Sequence, residues 1–475
     1  MTPVTPLSAP RLSRILAVMW LALTVFPVSG HAATSPTRAP NIVILLADDL
    51  GRGDLGYAGS DIKTPNLDTF VSTGVKLDRF YACPVCSPTR AGLLTGRWPI
   101  RHGIMRTVIP PWSKHGLPLE ERTLPDALAE AGYARRGIFG KWHLGHSQRA
   151  FLPPQRGFTH FYGHYNGALD YFTHLREGEV DWHRNHETVK EEGYATDLLA
   201  REAVRFVEES PADQPFFLYV PFNAPHSPYQ AKPDDLARYP QRQGNRRTYA
   251  AMVDSMDQAI GQVLNAIAKR ADADNTFILF FSDNGGHLPV ASNGPMRDGK
   301  FSVYEGGIRV AAAVRWPAGG LKGGRVCAEP MGYIDVMPTA LRVAKTQSSP
   351  AHPVLDGIDV LDVMRGEKAT PERPWFSFIA PQAREDAAVN VGPWKLVLSG
   401  TSLLSPSNDS VTKAELFNLI DDPRETNDLA AQHPAHVTRL REHLVAFGRL
   451  QKTGVAAYAE GRSGFKAPTD WIIKD

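Results

Sequence analysis

The chain has 475 residues, of which 43% are hydrophobic and 21% are charged, and its formal net charge is +2. This length is sufficient for a large buried core, and the composition is that of a globular protein. The small net charge provides no overall field that would attract nucleic acid or an anionic membrane surface, so we expect neither as a partner.

The first segment has the pattern of an export signal. Arg11 and Arg14 precede the apolar run 15–28, which is too short to span a bilayer comfortably and is followed by small residues suited to cleavage. A stretch rich in Pro, Ser and Thr then separates this run from the first predicted strand, which argues against a buried first helix. We predict that residues 1–33 are a signal peptide, that the protein is periplasmic or secreted, and that no later segment spans a membrane.

Three apolar runs predict buried strands of one sheet: "NIVILLADDLG" from Asn41, "QPFFLYVPFNAPHSP" from Gln214 and "NTFILFFSDNGG" from Asn275. Helical patterns lie between such runs, at 124–131, 195–209 and 248–270. Strands that alternate with helices predict an α/β fold with a large, mostly parallel central sheet flanked by helices. Ligands bind such sheets beyond the carboxyl ends of the strands, where these runs place their polar residues.

The pattern changes after about Pro371. Short strand-like pieces separated by turns are followed by a helical pattern at 435–447, which predicts a smaller antiparallel sheet with a covering helix. We therefore divide the mature chain into a catalytic domain at 34–370 and a C-terminal α+β subdomain at 371–475. The subdomain has no cluster of catalytic residue types, so we interpret it as scaffold or as the wall of a subsite.

Carboxylates follow two of the predicted strands. Asp48 and Asp49 end the first, and Asp283 and Asn284 end the third. Adjacent carboxylates repel each other unless something neutralises them, although one of them could instead cap a helix in a solvated loop. Four oxygen ligands that meet at one sheet edge suit a hard cation such as calcium or magnesium.

Basic side chains occur at the same presumptive edge. Lys141 and His143 follow the apolar "GIFG" two positions apart, so they share one face if the chain is extended; His226, Lys300 and Arg90 complete the set. A lone histidine is more often structural than catalytic. Several cationic groups beside a divalent cation nevertheless suit a sulfate or phosphate ester.

The stretch "CPVCSPTRAGLLTGR" contains Cys83 and Cys86, and the chain has one further cysteine, Cys327. Pro88 favours a helix start, which would place Cys86 at a helix N-terminus, where the pKa of a thiol is lowered. A redox or metal-binding module built on Cys83-x-x-Cys86 is an alternative. It would need a small βαβ unit or a second ligand pair, and Cys327 alone does not supply one.

The segment Cys86-Ser87-Pro88-Thr89-Arg90, continued by "AGLLTGR", resembles the signature of the formylglycine-dependent type I sulfatases of the alkaline-phosphatase superfamily. The resemblance extends through "TPNLD", "GKWHLG", "APHSP", "FFSDNGG" and "GKFSVYEGGIR" to "ELFNLIDDPRETNDLA". It implies one Ca²⁺ per chain and oxidation of Cys86 to Cα-formylglycine (3-oxoalanine) by a formylglycine-generating enzyme. The implied calcium ligands are Asp48, Asp49, Asp283 and Asn284. The implied catalytic residues are Cys86, Arg90, Lys141, His143, His226 and Lys300.

The resemblance also implies a mechanism. One hydroxyl of the hydrated aldehyde attacks sulfur, and loss of a proton from the other expels sulfate and restores the aldehyde. His143 is the implied base for that collapse, and His226 or Lys300 the donor of a proton to the leaving alcohol.

The natural substrate is less well defined by the sequence. "GHYNGALDYFTH" is rich in aromatic and histidine side chains and predicts either a polar surface loop, a metal site or, as we prefer, a wall that contacts sugar rings. The run "SNGPMRDGKFSVYEGG" is similar to the arylsulfatase B-like (N-acetylgalactosamine-4-sulfatase) branch, which implies a carbohydrate sulfate, with aryl sulfates cleaved as well. The predicted substrate contacts are His164, Asp170, His174 and Arg297.

Two questions stay open at this point. A phosphonate or phosphodiester hydrolase of the same superfamily is an alternative function, although a single metal site disfavours the two-metal phosphatases. Conversion of Cys86 would leave Cys83 and Cys327, either as a disulfide or, as we prefer, as buried reduced thiols.

Overall fold

The computed structural model describes Met1 and residues 38–346, 352–407 and 410–474. Apart from Met1, the predicted signal peptide at 1–33 lies outside the described residues. The chain from Arg38 onward forms one compact unit. Among the helices of the described segments, none combines the length and the apolar character that a membrane crossing requires.

Strands and helices alternate along most of the described chain. The strands are β1 Asn41–Ala47, β2 Val75–Leu77, β3 Phe80–Tyr81, β4 Arg135–Lys141, β5 His160–His164, β6 Leu175–Arg176, β7 Glu179–Val180, β8 His183–Arg184, β9 Glu187–Thr188, β10 Phe216–Pro221, β11 Thr276–Ser282, β12 Arg309–Val310, β13 Ala312–Arg315, β14 Arg325–Cys327, β15 Met331–Gly332, β16 Trp375–Ile379, β17 Glu385–Val391, β18 Trp394–Gly400 and β19 Val411–Asn418. The α-helices are α1 Pro65–Thr73, α2 Cys86–Thr95, α3 Leu124–Glu130, α4 Ala195–Glu208, α5 Pro233–Ala237, α6 Gly244–Ala268, α7 Glu305–Ile308, α8 Val336–Val343, α9 Leu361–Met364 and α10 Pro434–Gly448.

The main sheet has ten strands within the described residues, in the order β14-β2-β13-β11-β1-β10-β4-β5-β8-β9. Its centre, from β11 to β5, is parallel. At the margins, β13 and β2 on one side and β8 and β9 on the other pair antiparallel. The predicted α/β sheet flanked by helices is confirmed. The sheet is mixed overall, because these short marginal strands run antiparallel to their neighbours.

The central strands are apolar throughout because both faces of the sheet are covered. In β1, Ile42 and Ile44 face a core that includes residues of α2, α3 and α8, whereas Val43 and Leu45 face a second core formed with α4 and α6. Each of these β1 side chains is fully buried, which contributes about 2 kcal/mol per residue. The two cores hold the strand ends, and hence the polar residues that follow them, in fixed positions.

The C-terminal residues form a second, antiparallel sheet in the order β16-β17-β18-β19, with α10 packed against it, as predicted. Phe376 on β16 stacks on Phe447 of α10, with ring centroids 4.2 Å apart. Trp98 lies edge-on to both rings and to Trp375, so this sheet shares a core with the larger one. A domain boundary near residue 370 stays a prediction.

Candidate active site

The predicted metal ligands meet at the carboxyl edge of the main sheet. β1 and β11 are parallel neighbours, and Ala47 pairs with Ser282, so Asp48 and Asp283 follow at the same level. All four predicted ligands are buried. Asp49 has φ 65°, a left-handed conformation that costs a side-chain-bearing residue about 1 to 3 kcal/mol. The structure therefore gathers the four residues, at the expense of local backbone strain.

Three buried cations neutralise most of this negative charge. The pairs are Arg90 with Asp283 (Nη2 to Oδ2, 2.7 Å), Lys141 with Asp48, and Lys300 with Asp49 (Nζ to Oδ1, 2.7 Å). An unpaired buried carboxylate destabilises the folded state. Removal of any of these three cations would therefore leave the carboxylate that it contacts uncompensated.

The pKa values show where the charges are still unbalanced. Burial, and then the charge of Asp48, raise the pKa of Asp283 to about 6. Burial also acts to raise the pKa of Asp49, but Lys300 and His226 outweigh it and hold the pKa well below its usual range. Burial and Lys300 lower the pKa of His226 to about 3. Asp48 therefore still disfavours the ionised form of Asp283, although Arg90 and Lys141 act in the opposite direction.

Asn284 tests whether a cation fits this cluster. Its amide nitrogen donates to Asp49 Oδ1 at 2.8 Å, whereas its Oδ1 is buried and has no hydrogen-bond partner within the described part of the chain. Ligand atoms of Asp48, Asp49, Cys86 and His226 also lie within 4.8 Å of one another. A partnerless amide oxygen beside several carboxylates is a donor set for a hard divalent cation. The residues present thus fit Ca²⁺.

Cys86 is the first residue of α2, and its Sγ lies 3.5 Å from Asp48 Oδ1. Arg90 follows one turn later, so the helix places both side chains on one face, towards the carboxylates. The expected lowering of the thiol pKa by the helix N-terminus is wrong. Burial raises the pKa of Cys86, and the adjacent charge of Asp48 raises it further. The helix therefore explains the Cys-x-x-x-Arg spacing but does not make a reactive thiolate.

Cys83 lies outside this cluster. Its backbone N–H donates to Thr89 Oγ1 at 2.8 Å, which fixes the turn that enters α2. Burial raises the pKa of its thiol to about 12. Cys83, Cys86 and Cys327 are all free and buried, in agreement with the preferred expectation of reduced thiols.

Lys141 and His143 do not share a face as an extended chain would require. His143 has φ 58°, and its backbone N–H donates to Tyr165 O at 3.0 Å, so the chain turns after Lys141. Lys141 contacts Asp48, whereas the His143 ring contacts Ile109 O through Nε2 at 3.0 Å and leaves a buried Nδ1 without a partner. Gly167 permits this position, because a Cβ there would lie 2.4 Å from the ring.

A cavity of about 860 Å³ opens over these residues. Its wall includes Asp49, Cys86, His143, His226 and Lys300. A largely apolar lining that also contains a cluster of titratable groups is typical of a small-molecule site. Arg90, Lys141 and Asp283 lie behind the wall and position the residues in front.

The chain is similar to several known proteins. The sequence model of the Sulfatase family matches residues 40–346. Arylsulfatase J of Mus musculus is 33% identical over 88% of this chain and 77% of its own length. N-acetylgalactosamine-6-sulfatase of Canis lupus familiaris is 35% identical over 80% of this chain and 75% of its own.

The chain belongs to the sulfatase family. The solved structure of Ps i-CgsB covers 89% of this sulfatase and 95% of its own chain, with a TM-score of 0.81 and 31% identity. The same protein in complex with k-i-k-neocarrahexaose has a TM-score of 0.79. The family and fold place the sulfatase in the alkaline-phosphatase superfamily as a sulfuric ester hydrolase. The arylsulfatase B-like branch stays a prediction.

The residues predicted to contact substrate are not among those that line the cavity of the sulfatase. His174 and His164 lie on either side of the buried Trp182, with ring centroids 4.5 and 6.4 Å from it. Asp170 accepts backbone N–H groups from its own turn, at Phe172 and Thr173. These side chains shape the loop behind the cavity wall.

Arg297 belongs to the loop that contains Lys300, and it connects this loop to the C-terminal sheet. Its guanidinium lies 3.7 Å from the centroid of the Tyr304 ring and donates to Glu425 O at 3.0 Å. Further along the loop, Glu305 contacts the buried Lys395 of β18 at 3.0 Å. The C-terminal sheet of the sulfatase therefore supports an active-site loop.

Several wall residues were missed by the sequence analysis. They come from short loops, from the β6–β7 hairpin and from the C-terminal tail, and include Thr107, Arg176, His287 and Tyr458. No periodic pattern or strand end marks them, so only the folded sulfatase brings them to the site.

Proposed function

We propose that this sulfatase is exported and hydrolyses carbohydrate sulfates, and also aryl sulfates, with Cys86 converted to formylglycine by a formylglycine-generating enzyme. The observation that carries the proposal is the position of Cys86, at the start of α2, on the cavity wall and 3.5 Å from Asp48 Oδ1. A cavity of about 860 Å³ leaves room for sugar rings beside the sulfate. The names of the relatives and of the solved complex support a sulfated sugar as substrate.

The modified side chain would supply a hydrated aldehyde, whose hydroxyl is a nucleophile for sulfur. His143 is placed to act as a base. Because the carbonyl of Ile109 can only accept, His143 Nε2 must donate to it, and the neutral ring then presents an unprotonated Nδ1. Lys300, which contacts Asp49 and lines the cavity, would bind the sulfate oxygens.

His226 or Lys300 would give a proton to the leaving alcohol. His226→Ala and Lys300→Ala should each be compared on a nitrophenyl sulfate and on a sugar sulfate, whose leaving alcohol needs protonation. The residue that acts as the acid should show the larger loss, about 100-fold more, on the sugar sulfate. Equal losses on both substrates for both variants would refute this role.

Calcium would be held by Asp48, Asp49, Asp283 and Asn284, where it offsets negative charge on the bound sulfate. The partnerless Asn284 Oδ1 supports this assignment. We expect a chelator to lower the midpoint of thermal unfolding by several degrees, because a ligand at about 1,000 times its Kd stabilises the folded state by about 4 kcal/mol.

Differential scanning fluorimetry in EGTA and in added calcium measures this effect without reference to activity. Asn284→Ala should reduce the calcium-dependent shift, whereas Asn293→Ala, which removes a nearby amide outside the acidic cluster, should retain it. Identical midpoints of thermal unfolding for the wild-type protein in EGTA and in calcium would show that no such ion is bound.

Parallel assays of an aryl sulfate and an aryl phosphate diester test the function itself. We expect kcat/KM for the sulfate to exceed that for the diester by at least about 100-fold, because the single proposed cation site disfavours the chemistry of the two-metal phosphatases. Comparable efficiency on the diester would favour a phosphonate or phosphodiester hydrolase instead.

A further inference from the structure

Arg176 lies on the wall of the active-site cavity and takes no part in the contacts described around Cys86. Among the described residues, its ion-pair partner is the neighbouring Glu177, with Nη2 3.5 Å from Oε1, beyond normal hydrogen-bond length. Its Nε is buried and has no hydrogen-bond partner. A guanidinium carries five N–H donors, so most of the hydrogen-bonding capacity of Arg176 is available to a ligand.

The backbone of Arg176 is held rigidly. It pairs with Glu179 in the β6–β7 hairpin, whose two-residue turn, Glu177 and Gly178, has φ values of 50° and 85°. These left-handed values are those of a type I′ turn, which matches the twist of the flanking strands. The hairpin thus presents Arg176 from a defined position.

The C-terminal tail fixes the same hairpin from outside. Trp471 is buried, and its indole Nε1–H donates to Arg176 O at 2.9 Å. The adjacent Asp470 N–H donates to Glu179 Oε2 at 2.9 Å. A residue whose backbone is tied in this way from two directions loses little backbone entropy when its side chain binds a ligand.

Apart from Arg176, His287 and the charged and titratable residues around Cys86, the residues that line the cavity are apolar or uncharged. They include Ala168, Pro381, Ala457 and Tyr458. Sugar rings present such surfaces with CH groups, and an aromatic ring such as that of Tyr458 is suited to contact them. Arg176 is therefore a cationic position in a part of the cavity that is otherwise suited to an uncharged ring.

We propose that Arg176 binds a second anionic group of the substrate, a sulfate or a carboxylate on the sugar residues that occupy the cavity. The inference rests on the proposed function and adds to it the charge of the substrate. Guanidinium groups bind both oxyanions through two parallel N–H···O bonds, which gives geometric selectivity as well as affinity. The sulfatase would then prefer sugars that carry an anion besides the sulfate ester that it removes.

The test compares Arg176→Gln with the wild-type protein on three kinds of substrate. They are a nitrophenyl sulfate, a disaccharide with one sulfate, and matched disaccharides that carry a second sulfate or a uronic carboxylate. We expect kcat/KM to fall about 10- to 100-fold on at least one doubly anionic sugar and less than about twofold on the nitrophenyl sulfate. Whichever doubly anionic disaccharide shows the larger loss of kcat/KM identifies the second anion as a sulfate or a carboxylate. Arg384→Gln, which changes an exposed arginine outside the cavity, is the matched control.

Arg176→Lys adds a second variant. This variant keeps the positive charge but loses the planar guanidinium that donates two parallel hydrogen bonds. Its kcat/KM on the doubly anionic sugar should therefore lie between those of the wild-type protein and Arg176→Gln. Equal losses on all substrates, or no loss on either doubly anionic sugar, would overturn the proposal. Turnover of the nitrophenyl sulfate by the wild-type protein, which carries no substitution, tests the proposed sulfatase chemistry by itself, so the two failures are distinguishable.

Discussion

Cys86→Ala is expected to lower kcat/KM for an aryl sulfate at least about 1,000-fold, because the proposed nucleophile derives from this side chain and no other group can replace it. The thiol is small and buried at the start of α2, so alanine should leave the fold intact. Initial rates over a range of substrate concentrations measure the loss, and the midpoint of thermal unfolding verifies the fold.

Cys83→Ala is the matched control. Cys83 is also buried, stands three positions earlier, and does not line the cavity, so its replacement should change kcat/KM less than about twofold. Mass spectrometry of the peptide that contains Cys86 provides an independent readout, since conversion of the thiol to an aldehyde lowers its mass by a fixed amount. Full activity with an unmodified cysteine, or retained activity in Cys86→Ala, would contradict the proposed chemistry.

Lys395→Met is expected to lower the free energy of unfolding by about 3 to 5 kcal/mol. The Lys395 Nζ lies 3.0 Å from Glu305 Oε1 and 2.7 Å from Glu425 Oε1, and all three side chains are buried. Methionine has a similar length, so the change removes the positive charge with little loss of packing. Two carboxylates are then left to repel each other away from water. Urea denaturation measures the difference.

The loss of stability should depend on pH. Burial already raises the pKa of Glu425, Lys395 opposes this rise, and Glu305 adds to it, so removal of Lys395 raises the pKa further. A carboxyl group with a raised pKa in the folded state binds a proton more tightly there than in the unfolded chain. The variant therefore regains stability as pH falls towards the unfolded value of about 4.3, and the deficit should be larger at neutral pH.

Lys413→Met on the neighbouring strand β19 is the control for this prediction. Lys413 also contacts a glutamate, Glu415, at 3.0 Å, but its side chain is half exposed. Pairs at such positions contribute at most about 1 kcal/mol. If Lys395→Met were no less stable than Lys413→Met, the buried cluster would not have the stabilising role described.

The main sheet could be predicted from sequence because its strands are buried on both faces and appear as uninterrupted apolar runs. The same reasoning located the polar residues after β1 and β11, since parallel neighbours end at one edge. Helix α6 begins at Gly244 rather than at the predicted Thr248, because its first turn is polar and has no apolar periodicity. Patterns that reflect burial are visible in sequence, and exposed first turns are not.

The outer part of the site could not be predicted. Arg176 reaches the cavity only because a two-stranded hairpin is tied to Trp471, nearly 300 positions later. In the stretch "GHYNGALDYFTH", Gly167 and Ala168 line the cavity, whereas His164 and His174 stack on Trp182. Composition indicates which side chains could contact a sugar, but long-range packing decides which of them face the cavity.

The ties between the C-terminal tail and the β6–β7 hairpin have a consequence for the order of assembly. A ribosome releases the N-terminal residues first, so Cys86 and the carboxylates exist long before Tyr458 and Trp471 have been synthesised. The part of the cavity wall that these residues complete cannot form before they have been synthesised, and the contact between Trp471 and Arg176 joins residues 295 positions apart. Cys86 and the carboxylates can thus be gathered before the part of the wall that holds Arg176 is complete.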